Sequence, residues 1–270
     1  MKRSFFSLTL VMTAAAGLLF APAASALNAR EIMQRVDARD DGDNGTATME
    51  MILLDKKGNE RRRTLRTFSK DQGDDRYRLM FFMEPADVRG TGFLTYDYDD
   101  PAVDDDQWLY LPALAKTRRI AAADKSGSFM GSDFNYADMT RKDLDLYTYE
   151  LLKELIVAER RAWVIQAVPT SPQEIDQSGY TRSLLFVDQA TFLVLRAIHW
   201  MKEGGGRMKY LDASSHIEQV DGIWVARHMT MTTKQGKTTL HRTTLRFKQM
   251  GFGQDLDEGL FTVRRLEQGL

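Results

Sequence analysis

Histidines at positions 199, 216, 228 and 241 are the side chains best suited to acid–base or metal chemistry. None lies three to five residues from another, so the spacing that lets two imidazoles of one segment share a zinc ion is absent. Each therefore reads as a strand-surface residue. The chain has neither a Gly-x-Ser-x-Gly elbow nor a Ser-x-x-Lys pair, and with no cysteine it has no thiol nucleophile and no disulfide. "DDGDNGTATMEM" (40–51) has the acid density of a calcium loop. Aligning Gly45 with that loop's invariant glycine puts Gly42 at a ligand position and Met51 where the bidentate glutamate belongs, so a polar helix-to-strand turn is the reading. "YDDPAVDDD" (98–106) is acidic without a defined ligand geometry. Asp97 and Asp99 are the carboxylate pair that a hydrolytic reading would have to use. No catalytic residue, cofactor or metal is expected.

"KKGNERRRTLR" (56–66) gathers six basic side chains around a turn. On a strand, Arg61 and Arg63 share a face with Leu65, while Arg62 and Arg66 share the other with Thr64 and Phe68. Mixed faces suit a solvated edge or a docking patch. Arg61, Arg62 and Arg63 are thus the docking candidates, for an acidic partner or lipid head groups.

The elements that carry these residues follow from composition and periodicity. Of 270 residues, 43% are hydrophobic and 28% charged, the balance of a globular protein with a sizeable core. A formal net charge of -1 offers no field to attract nucleic acid. Residues 1–26 combine a basic start, an apolar run short of the ~20 residues that span a bilayer, and the small-residue pattern Ala24-Ser25-Ala26. They are expected to be a signal peptide cleaved after Ala26, leaving 27–270 as one soluble domain. Losing Lys2 and Arg3 leaves 35 basic against 38 acidic side chains, a net charge of -3. Cysteine-free export fits a bacterial envelope.

Asn28 is placed to cap a short helix in which Ile32, Met33 and Val36 share a face. Strand patterns follow: "TATMEMILL" puts Ala47, Met49, Met51 and Leu53 on one face, "RYRLMFFM" groups Tyr77, Leu79 and Phe81, and "AWVIQAV" groups Trp163 with Ile165. Further strands are expected at 92–98, 107–111, 144–152, 180–187, 194–200, 207–220, 223–231 and 237–248. Turn residues at "DKKGN", "KEGGG", "VDG" and "KQG" separate them. The expectation is a mainly β protein, one antiparallel meander of about eleven strands, curled by its twist into an incomplete barrel.

Between two of these strands runs "GSFMGSDFNYADM" (127–139), greasy yet built of turn residues. With "WLYLP" and "KTRRI" before it and "LDLYTYELL" after, it resembles the LolA-like outer-membrane lipoprotein-sorting proteins of bacteria. "AWVIQAVP", "GYTRSLLFVDQATFLVLRAIHW", "DGIWVARHMTM" and "LFTVRRLE" are similar to that family in order and spacing, so the resemblance spans about residues 28–268. It implies an incomplete barrel with small helices as a lid over an apolar cavity, and a periplasmic carrier of lipid or acylated lipoprotein cargo, in some members beside RND-type exporters. Implied partners are the cargo, an inner-membrane exporter and an outer-membrane acceptor, with a monomeric carrier touching membranes transiently. A sensing adaptor that binds a lipid or protein signal, or an envelope hydrolase, stays open at this stage.

Cavity or lid candidates are Met49, Met51, Met80, Phe81, Met83, Trp108, Tyr110, Phe129, Met130, Phe134, Met139, Met229 and Met231. Methionine suits varied acyl chains because it is flexible and polarizable, and the chain has 14 of them. Asp133 is expected to cap a helical turn within 127–139.

Overall fold

The computed structural model describes residues 27–270, and the expected signal segment lies outside the described residues. Helix α1 (Ala29–Asp37) begins where the sequence places it. The Glu31 amide donates to Asn28 Oδ1 at 3.0 Å and the Asn28 amide to the Glu31 carboxylate at 2.8 Å, a reciprocal cap. Ile32 and Met33 are buried beneath it.

Six strands follow: β1 (Gly45–Asp55), β2 (Glu60–Gln72), β3 (Asp75–Glu84), β4 (Gly92–Asp97), β5 (Asp106–Leu111) and β6 (Lys116–Arg119). After an irregular stretch come β7 (Tyr147–Val157), β8 (Arg160–Pro169), helix α2 (Pro172–Ser178), β9 (Tyr180–Asp188), β10 (Val194–Met201) and β11 (Arg207–Asp212). The chain ends with β12 (Ile217–Val220), β13 (Ile223–Ala226), β14 (His228–Gln235), β15 (Thr238–Gly251) and helix α3 (Val263–Gln268).

The described residues thus form fifteen strands, not about eleven. The expected strands 207–220 and 223–231 each break in two, at 213–216 and at Arg227, and the "VDG" turn closes a separate hairpin, β12–β13. Across Arg227 the apolar phase continues from Ile223 and Val225 to Met229 and Met231, so the pattern hid that break; at 213–216 the polar run Ser214-Ser215-His216 marks it. His216 takes a left-handed φ of 56° there, a backbone state that periodicity does not report.

Thirteen strands make one curved antiparallel sheet, in the order β6-β5-β4-β3-β2-β1-β15-β14-β11-β10-β9-β8-β7, not closed into a barrel. Two meanders therefore grow outward from the β1–β15 pair, and the free edges are β6 and β7. Those edges are consecutive in sequence, so the chain from Ile120 to Leu146 must travel from one edge of the sheet to the other. It does so across one face, which we call inner.

Cross-strand register shows which residues share that face. Met49 pairs with Leu65 and Phe247, Met51 with Arg63 and Leu245, Leu211 with Met231, and Met80 with Phe93. Helix α1 lies on the same inner face further along, against Ile165, Val187 and the partly buried Trp163. The outer face is covered beside β3–β5 by α3, where Leu266 packs with Phe68, Leu79, Phe81 and Leu94. Gly92 makes that close approach possible, because a Cβ there would meet Leu266 Cδ1 at 2.5 Å. Among the described residues no helix is long and apolar enough to cross a membrane.

Candidate functional site

The crossing segment is irregular, a run of single 3₁₀ turns, because "SGS", "MGS" and "SDFN" favour bends over helix. Met130 and Gly131 are successive left-handed residues, with φ of 49° and 73°. This reversal turns Phe129 and Phe134 inward, and the Phe129 amide donates to the Phe134 carbonyl at 2.7 Å. Phe129 is 1% exposed and makes edge-on contacts with Phe93 (5.0 Å between centroids) and Tyr136 (5.6 Å). Around them pack Met49, Met51, Leu53, Leu65, Met80, Phe82, Leu109, Met231 and Leu245. The apolar heart of the inner face is filled by the chain's own side chains.

Polar side chains of the sheet hold this plug by its backbone. Arg63 donates to the Met130 carbonyl at 2.6 Å, Gln107 to the Tyr136 carbonyl at 2.9 Å and Arg78 to the Met139 carbonyl at 3.0 Å. Asp133 does not cap a helical turn as expected. Its carboxylate is almost fully buried and accepts from Thr233 (2.5 Å) and Thr243 (2.7 Å), with His241 Nδ1 at 2.6 Å. The turn Tyr136–Met139 is started instead by Asn135, whose amide donates to the Asp138 carboxylate at 2.7 Å. Asn135 Oδ1 accepts from the buried Lys209 ammonium at 2.6 Å, and its Nδ2 donates to the Ser178 carbonyl at 2.9 Å. Burial lowers the Lys209 pKa from its ordinary value, Asp138 and Asp133 opposing the shift.

The sequence candidates divide. Met49, Met51, Met80, Phe129, Phe134 and Met231 are buried together on the inner face, and Met130, Met139 and Met229 pack partly buried against them. Phe81, Trp108 and Tyr110 point to the outer face beneath α3 and do not join the group. Met83, at the end of β3, is 37% exposed. The three arginines part company as well. Arg61 is exposed, Arg62 pairs with Glu50 (2.8 Å) and Glu60 (2.5 Å), and Arg63 is 9% exposed beneath the plug.

Sequence reasoning missed Arg78, Gln107, Asn135, Lys209, Thr233 and Thr243 as anchors, and read His241 as a surface residue. A usable signal was present: Thr243 and His241 share the phase of Leu245, Thr233 that of Met231, and Arg63 that of Leu65. Polar residues in the apolar phase of a strand require buried partners. At the β4 end, Arg141 binds both carboxylates of the pair considered for hydrolysis, Asp97 at 3.2 Å and Asp99 at 3.4 Å. The acidic 98–106 loop lines a cleft of about 300 Å³ with Arg141, Lys125 and Lys142. Burial, with Asp97 nearby, raises the Asp105 carboxyl above its ordinary value.

Solved structures share this fold over most of the chain. A structure from Vibrio parahaemolyticus, described as an outer-membrane lipoprotein-sorting protein domain, is 33% identical, with 88% of this chain and 98% of that chain covered and a TM-score of 0.78. The chain belongs to the LolA-like outer-membrane lipoprotein-sorting family. A DUF1329 family protein from Desulfovibrio piger is 29% identical, with 88% of this chain and 97% of that chain covered and a TM-score of 0.78. A LolA superfamily protein from Nitrosomonas europaea shares the fold at 18% identity, with 89% and 100% coverage and a TM-score of 0.66. The family whose model matches residues 74–268 is described as an uncharacterized protein. The comparison with curated proteins returned no match.

His199 gives the plug's surroundings a pH dependence. Its ring stacks on Tyr180 at 4.6 Å, with Nδ1 2.7 Å from Ser183 Oγ, and Tyr180 donates to Asp138 at 2.9 Å. Burial lowers its pKa from 6.5 to about 4, partly opposed by Asp138. Below pH 6.5 the unfolded chain binds a proton that the folded chain refuses. The neutral ring's contribution is thus complete above about 6.5 and is lost as pH falls toward about 4, by at most about 3 kcal/mol. His199→Gln should flatten the denaturant-measured stability between those pH values. An unchanged slope in the variant refutes the assignment.

Proposed function

We propose that this chain is a periplasmic carrier that shelters lipid or acylated lipoprotein cargo on its inner face, between inner-membrane machinery of the RND-exporter type and the outer membrane. The observation that supports it most is the plug: Phe129, Met130, Phe134 and Met139 lie against a methionine-lined sheet, held by polar bonds to the segment's backbone and to Asp133 and Asn135. These side chains occupy the place that acyl chains take, and cargo enters as the segment lifts.

The magnitudes allow exchange in both directions. An acyl chain of about sixteen carbons gains roughly 12 kcal/mol at ~0.8 kcal/mol per buried CH₂. Displacing four large apolar side chains forfeits roughly 6–12 kcal/mol, at about 1.5–3 kcal/mol each. Near-balance is what a carrier needs, since cargo bound far more tightly than the plug would not be released. The exposed Arg61 is the remaining docking cation of the 61–63 set, for acidic groups on a membrane partner.

Organic extraction of the purified protein followed by mass spectrometry should return acyl lipid. Arg63→Met removes the bond to the Met130 carbonyl, a charge-assisted contact of about 1.5–3 kcal/mol, and should speed uptake of a fluorescent fatty acid tenfold or more. An empty protein that also ignores added fatty acids and phospholipids would sink the carrier reading. Binding without transfer between vesicles would make it a sensor, and turnover of an envelope lipid that Asp97→Asn abolishes would make it a hydrolase.

A further inference from the structure

Beside the plug, between the β1–β2 turn and the ends of β11, β14 and β15, lies a cleft of about 460 Å³. Lys56 and Arg207 stand exposed at its rim, and Lys209, 4% exposed, forms part of its wall. Ser126, Ser128 and Thr233 add hydroxyls. Among the described residues, no carboxylate lies within 4.0 Å of any of these three cations, although seventeen such contacts of other lysines and arginines occur there. Lys209 is the telling member. Its ammonium is buried against a neutral amide, Asn135 Oδ1 at 2.6 Å, and lies 5.6 Å from the Tyr180 ring centre, neither of which cancels its charge. Asp138 and Asp133 act on it only from beyond contact distance, and a buried cation without a carboxylate in contact is costly unless an anion joins it or its pKa shifts.

One carboxylate lines the cleft, and it is already engaged. Both oxygens of Asp133 are taken up, Oδ1 by Thr233 and Oδ2 by Thr243 and His241. Asp138 does not line the cleft, and its carboxylate accepts from Tyr180 and from the Asn135 amide. Three cations against one satisfied carboxylate leave the cleft with surplus positive charge. Two ammonium groups, a guanidinium fork and the Ser126 hydroxyl offer more donors than the two oxygens of a carboxylate can use, the Ser128 and Thr233 hydroxyls being spent on Ser132 and Asp133.

We propose that this cleft binds a phosphate or phosphodiester group, with Lys209 in its wall and Arg207 and Lys56 at its rim. Because Gly131, Ser132, Asp133 and Asn135 belong to the plug as well as to the cleft, an anion bound here sits at the plug's own margin. If the group is a lipid headgroup, it holds the polar end of the cargo while the acyl chains enter beneath the lifted segment. That extension rests on the carrier reading; the anion site itself does not.

Calorimetric titration of the full-length mature protein at low ionic strength, with inorganic phosphate and with dihexanoyl phosphatidylglycerol below its micelle concentration, tests it. Both probes should bind, and Arg207→Gln and Lys209→Met should each weaken binding about tenfold. Arg207 is exposed, so its variant keeps the test valid if Lys209→Met fails to fold. Lipid binding tenfold or more tighter than phosphate identifies a headgroup site, whereas equal affinities identify a site for a free anion. No binding of either probe, or affinity unchanged in Arg207→Gln, overturns the proposal. A protein that retains acyl lipid on extraction yet binds neither probe loses this site and remains a carrier.

Discussion

Replacing Asp133 with alanine should cost about 3–5 kcal/mol of folding stability and release the 127–139 segment from the sheet. The carboxylate is 3% exposed and serves Thr233, Thr243 and His241 at once, while its own backbone amide donates to Thr243 Oγ1 at 2.9 Å. Removing it takes the shared carboxylate acceptor from the fully buried Thr243 and from the part-buried Thr233 and His241, and each buried polar group stranded in this way costs about 1–3 kcal/mol. Asp133→Asn preserves shape but turns one donor toward donors, so an intermediate loss is expected. Chemical denaturation measures the cost, and amide exchange locates it. Protection should fall first at residues 127–139 and last in β1 and β15. A variant as stable as the parent, with the segment still protected, would mean that the apolar contacts alone hold it.

Phe129→Ala should be comparably severe, at about 3–5 kcal/mol, the usual range for truncating a fully buried phenylalanine. Phe129 touches Phe82, Phe93 and Tyr136 and belongs to the same cluster as Met51 and Leu65. Its loss empties space at the centre of the inner face, and that space is apolar, so water gains little by entering. The carrier reading adds a second consequence that plain core packing does not. A plug lacking its largest side chain competes less well with cargo, so Phe129→Ala should bind a fluorescent fatty acid more tightly while being less stable. Phe129→Asp should lose retained lipid instead, because a carboxylate beside acyl chains is costly to bury. If Phe129→Ala lowers stability and acyl affinity together, the residue is ordinary core and the plug does not compete with cargo.

Much of the architecture was legible from periodicity. Alternation in β1 places Met49, Met51 and Leu53 on one face, and the same faces appear in the cross-strand register with β2 and β15. The Asn28 cap and the Ile32–Met33 face of α1 follow from local rules, because a helix start is decided by side chains within one turn. The strand count was not legible, since the break at Arg227 leaves the apolar phase of Ile223, Val225, Met229 and Met231 intact, and the left-handed backbone of His216 has no signature in side-chain pattern.

The site was legible only in its chemistry. Sequence marks 127–139 as apolar residues among turn formers, and marks Phe81, Trp108 and Tyr110 as equally greasy. Which of these share a face depends on strand register and on where α3 docks, and that places the second group on the outer side. The basic 61–63 run shows the same limit, because the pleat alone turns Arg63 under the plug and Arg62 toward Glu50.

By itself, then, the sequence determined a cysteine-free antiparallel β chain, its apolar phases, its helix start and its family. Each of these is set by neighbours within a few residues or by the order of motifs. The tertiary structure decided that β1 pairs with β15, leaving β6 and β7 as edges that one segment must bridge across the inner face. It also brought Asp133 to Thr233, His241 and Thr243, more than a hundred residues away in the last two cases. Pairings at such separations depend on the whole sheet closing into register, and no local pattern encodes them.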